Sequence, residues 1–81
     1  MEKEHTIRVR YSGDTYQAID DLSWVKCTST AGHETAAFNL LKKQGIEDAQ
    51  LERLHEREQA MRDPKKPVHY QWRVYRVIRP A

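Results

Sequence analysis

The chain has one cysteine, three glycines, three prolines and one phenylalanine in 81 residues. One thiol excludes an intramolecular disulfide, and without a CxxC or Cys/His cluster there is no zinc ligand set. So few glycines and prolines leave no low-complexity linker. No apolar run approaches the roughly 20 residues of a membrane-spanning helix. The amino-terminal MEKEHTIRVR is charged where a signal peptide has an apolar stretch. These absences predict a soluble, cytoplasmic protein with no membrane partner.

Spacings that carry chemistry are also missing. His5, His33, His55 and His69 lie in four separate segments, and no HExxH, P-loop or nucleophile elbow occurs. Cys27 precedes a predicted helix start, where a thiolate is favoured, with His33 the nearest base in sequence. The simpler reading is a small buried hydrophobe on the inner face of a strand. Asp20-Asp21 lacks the further oxygen ligands that a hard cation needs and reads as a solvated turn. The expectation is a protein that is not an enzyme and needs neither cofactor nor metal.

What is present suits one small domain, residues 1–81. A chain this short buries roughly 60% of its unfolded surface, so nearly every large apolar residue is needed for the core. Charge is unevenly spread. Residues 1–45 carry six basic and six acidic side chains, residues 46–63 three basic against six acidic, and residues 64–81 five basic and no acid. Such separation describes partner surfaces rather than fold.

Thr6 to Tyr11 alternates as a half-buried strand, with Ile7, Val9 and Tyr11 on one face and Arg8 and Arg10 on the other. Ser12-Gly13-Asp14 reads as a turn into a second strand, Thr15 to Ile19. Asp20-Asp21 interrupts it, and Leu22 to Thr28 resumes the extended pattern as a third strand or a continuation past a bulge. Ser29 or Thr30 is positioned to cap a helix from about Ala31 to Gln44. His33, Ala36, Ala37, Leu40 and Leu41 form its inner stripe, and Gly45 ends it. Glu47 to Arg62 reads as a second helix with a narrow stripe of Leu51, Leu54 and Met61, stopped by Pro64. Past a stiff basic connector, Pro64-Lys65-Lys66-Pro67, Val68 to Arg79 reads as one long strand closed by Pro80. Both its faces carry apolar residues, which predicts a central strand or one that meets a partner. The expected fold class is α+β, an antiparallel sheet of 3–4 strands with two helices in the order β-β(-β)-α-α-β.

Basic and aromatic residues give the clearest functional signal. Arg8, Arg10, Lys26, Arg73, Tyr75 and Arg79 are candidates for one shared sheet face, and Arg76 points to the other. Arginine forks bind phosphates and carboxylates, and interleaved aromatics add stacking or interface anchors. The alternative is a solvated outer face, as small sheets commonly have.

VKCTSTAGHETAAFNLLKKQG, followed near the end by YQWRVYRVIRP, resembles the strand–Ser/Thr turn–Ala-rich helix unit and closing aromatic strand of small phage-borne anti-CRISPR inhibitors. The resemblance covers residues 6–45 and 68–79. It implies a non-enzymatic phage or mobile-element accessory protein that binds a host defence protein or ribonucleoprotein, such as a CRISPR surveillance complex. TSTAGHETAAFNLLKK after a hairpin is also similar to a double-stranded-RNA-binding domain. That assignment fails, because His33-Glu34 stands where the lysine clamp belongs and the expected first helix is missing. The alternative function is direct nucleic-acid binding through the basic sheet face, and a homo-oligomer is compatible with either.

Overall fold

The computed structural model describes residues 4–79; the predicted closure at Pro80 and the charges of Glu2 and Lys3 lie outside them. β1, Thr6–Ser12, pairs antiparallel with β2, Thr15–Asp20. The two linking residues, Gly13 and Asp14, have φ of 58° and 67°. Two left-handed residues are what a type I′ hairpin needs to match the twist of its strands. Glycine adopts this without cost, and aspartate is among the few side chains that tolerate it.

β3, Lys26–Ser29, pairs with the outer edge of β2. It starts later than the extended pattern from Leu22 suggests, and the cause is Asp20. Its Oδ1 accepts the N–H groups of Leu22 at 2.8 Å and Ser23 at 3.2 Å, so the chain wraps around the carboxylate. The Trp24 N–H donates to the Asp20 carbonyl at 2.8 Å, and Trp24 takes a left-handed φ of 62°. Far from being a solvated turn residue, Asp20 is 1% exposed.

α1 spans His33–Lys43 and presents Ala36, Ala37, Leu40 and Leu41 to the sheet. These pack with Ile7, Val9, Ala18, Tyr75 and Val77 as the core. Gly32 is the N-cap residue, without a side-chain cap. Neither Ser29 nor Thr30 serves, because Ser29 Oγ accepts the Ala31 N–H at 3.1 Å before the helix begins. The carboxyl end is as expected. The Ile46 N–H reaches the Leu41 carbonyl at 2.9 Å, the Gly45 N–H reaches Lys42 at 3.0 Å, and Gly45 has φ 74°, which makes a Schellman motif.

The second half departs from the sequence pattern. Residues 47–62 do not form one helix; Gln50–Arg53 is β4 and His55–Ala60 a short α2. The segment 68–79 is not one strand either: Val68–Tyr70 is a 3₁₀ turn and β5 is Arg73–Ile78. β5 inserts between β1 and β4, giving a five-stranded antiparallel sheet in the order β3-β2-β1-β5-β4. α1 thus connects strands at opposite edges. β5 is interior, which accounts for the burial of both Val74 and Tyr75 at 2% exposure. β4 forms because β5 would otherwise leave a row of ladder groups unpaired. That demand outweighs the local helix preference of the Glu- and Leu-rich segment. No helix among the described residues is long and apolar enough to cross a membrane.

Candidate functional site

Strand register sorts side chains onto two faces, since directly opposed residues share one. Ile7 opposes Tyr75 and Asp20, and Val9 opposes Arg73 and Ala18. This is the face α1 covers. The second face, which α1 leaves uncovered, is built from cross-strand rows. Arg8 lies between Ile19 and Val74, with Lys26 beyond Ile19. Arg10 lies beside Gln17, and Arg76 between Thr6 and Glu52.

Trp72, just before the start of β5, extends over this face. The Arg8 guanidinium sits 5.0 Å and that of Arg10 4.8 Å from its ring centroid. Cations over an indole gain from its negative face, and the arginine stems cover the apolar Ile19 and Val74 beneath. Asp21 orders one of them, accepting from Arg8 Nε at 2.7 Å and from Thr6 Oγ1 at 2.8 Å. Arg76 Nη2 donates to Glu52 at 2.7 Å. Arg10 differs. Its Nη2 reaches only the neutral Gln17 Oε1 at 3.5 Å, and its buried Nε has no acceptor among the described residues.

The predicted set therefore divides. Arg8, Arg10, Lys26 and Arg76 share the uncovered face. Arg73 is on the α1 side, and Arg79 lies past the end of β5, exposed. Tyr75 is a core residue, so its burial removes it from any contact surface. Trp72, Asp21, Gln17 and Glu52 complete the face. Trp72 has the same strand parity as Arg76, but only the β1–β5 register sets it opposite Arg10.

On the α1 side, Tyr16 carries the His33 ring edge-on at 4.6 Å, and Tyr11 stacks with His69 at 4.5 Å and Tyr70 at 5.6 Å. Burial first, and then the charges of Arg73, His69 and Arg53, hold His33 down at about 4. Cys27 is half-buried beside the core, its Sγ 3.8 Å from the Thr28 carbonyl. No cluster of three potential metal ligands occurs among the described residues.

These features define a small α+β domain whose second sheet face is cationic, aromatic and only partly neutralised. No family model matches the chain, and neither does a curated protein or a solved structure.

Proposed function

We propose that this protein is a non-enzymatic binding module that docks a macromolecular partner on the sheet face bearing Arg8, Arg10 and Trp72. The supporting observation is the arrangement of two guanidiniums over one indole, with Arg10 lacking a carboxylate of its own. Tryptophan and arginine are the residues that most often anchor interfaces. Arg8 and Arg76 are already neutralised by Asp21 and Glu52, so the face has few free cations for a run of phosphates. That balance favours a protein partner, or the protein component of a ribonucleoprotein, with an acidic or polar patch. The specific form, following the resemblance to phage inhibitors, is occlusion of a host defence complex such as a CRISPR surveillance complex.

Direct nucleic-acid binding is the second reading, favoured by the uncommitted Lys26 and Arg10 and by the acid-free segment 64–81. Binding to a purified surveillance complex, to duplex and to single strands, at about 50 and 200 mM salt, separates the two. The proposal expects capture of the complex, weak binding to bare nucleic acid, and a tenfold or greater loss in Arg10→Glu with the folded state retained by circular dichroism. Tight binding to nucleic acid alone that weakens steeply with salt would transfer the face to the second reading.

A further inference from the structure

A cleft of about 220 Å³ opens between α2 and the start of β5, and shares Trp72 with the Arg8–Arg10 face. Arg53, Arg62 and Arg73 line it with Glu58, and Trp72 and Val68 supply apolar wall. Glu58 is fully engaged. It takes Arg53 Nε at 2.8 Å and Arg53 Nη2 at 2.9 Å, and the Val74 backbone N–H at 3.2 Å. Arg62 and Arg73 have no side-chain hydrogen bond or carboxylate partner among the described residues.

The wall that carries Arg62 is fixed. Gln71 Nε2 donates to the carbonyls of Asp63 at 2.6 Å and Lys66 at 2.8 Å, and its Oε1 accepts the Asp63 N–H at 2.9 Å. Three guanidiniums against one carboxylate repel one another, and no internal contact of Arg62 or Arg73 offsets that cost. Their field extends to His33, whose imidazole is kept neutral by burial and then by Arg73.

We propose that this cleft binds a terminal phosphate monoester. The three arginines less Glu58 leave a charge of about +2, which matches the −1.5 to −2 that a monoester carries near pH 7. Its three oxygens suit two free guanidinium forks, each able to bind in bidentate fashion. A carboxylate or a phosphodiester brings a single charge and leaves one fork unmatched. The volume is below the roughly 300–1,000 Å³ that encloses a drug-sized ligand, so the cleft takes the phosphate group and leaves the remainder of the molecule outside. The same chemistry is offered by a free phosphorylated metabolite and by the 5′ end of a nucleic-acid strand. This inference does not rest on the partner assigned to the other face.

The test is a titration of the intact protein, followed by amide chemical shifts of residues 53–73 at constant ionic strength. The probes are inorganic phosphate, a nucleoside 5′-monophosphate with its parent nucleoside, and one oligonucleotide with either a 5′-phosphate or a 5′-hydroxyl. Saturable shifts with the phosphorylated member of each pair are expected, absent with its counterpart. Comparing the monophosphate with the phosphorylated oligonucleotide separates a free source from a chain-borne one. Arg62→Gln and Arg73→Gln should each lose tenfold or more in affinity without a fall in melting temperature. Lys42→Gln, in the last turn of α1 and outside the cleft, should retain it within about twofold. Equal binding of phosphorylated and unphosphorylated partners, or equal loss in Lys42→Gln and Arg62→Gln, would overturn the site.

Discussion

Asp20 and His33 show how two single side chains make the fold depend on pH. Burial alone would raise the Asp20 carboxyl. The hydrogen bonds from His5 and from the N–H groups of Leu22 and Ser23 prevail and hold it below the usual carboxylate range. Its stabilisation is full above the unfolded value near pH 3.9 and disappears as pH falls through the lower folded value. For His33 the folded state binds its proton less readily than the unfolded chain, at about 4 against 6.5. Stability is therefore complete above about pH 6.5 and declines as pH drops toward 4, by ~1 kcal/mol once solvent screening is allowed for. Denaturant melts at pH 7, 5 and 3 should show two successive losses. His33→Gln should remove the loss between pH 7 and 5 together with its remainder down to about pH 4, and leave the Asp20 loss at lower pH.

Elements that depend on local chemistry behave as their sequences suggest, and those that depend on neighbours do not. The α1 stripe and the Gly45 terminus are local. Gly45→Ala forces a Cβ into the left-handed region at φ 74° and should cost about 1 kcal/mol, read from the shift in the denaturation midpoint. β4 is non-local. Leu51 and Leu54 have the spacing of a helix stripe, yet Leu51 opposes Val77 across the ladder. Inter-strand NOEs between Glu52 and Arg76 are expected, and slow amide exchange in residues 50–53. A continuous run of helical NOEs from 47 to 62 would contradict the five-stranded sheet. The final strand shortens for a similar reason. After Pro67 the chain turns so that His69 and Tyr70 stack on Tyr11, and regular pairing with β1 ends at Arg73 opposite Val9.

At the scale of the molecule, one face packs under α1 and holds the domain together, and the other is left uncovered by α1. Mutations should separate accordingly. Tyr75→Ala empties a core site 2% exposed and should cost about 3–5 kcal/mol. A domain of this size has roughly 4–12 kcal/mol in total, so a large part of the population should unfold. Loss of near-ultraviolet circular dichroism would report this. Arg10→Glu should leave that signal in place.

The sequence by itself determined the α+β class, the β1–β2 hairpin with its Gly13-Asp14 turn, and α1 with its inner stripe and Gly45 stop. Each follows from residues within a few positions of one another: strict alternation, helical spacing, and a glycine where φ must be positive. Only the tertiary structure decided that 50–53 is a strand, that Asp20 is buried as the centre of a turn, and that Trp72 meets Arg8 and Arg10 while Tyr75 joins the core. Those outcomes depend on β5 entering between β1 and β4. That register is set by burial of Tyr75 and Val77 under α1, between residues more than 30 positions apart. Local propensity does not contain a long-range pairing, and a one-residue change in register would exchange the two faces entirely.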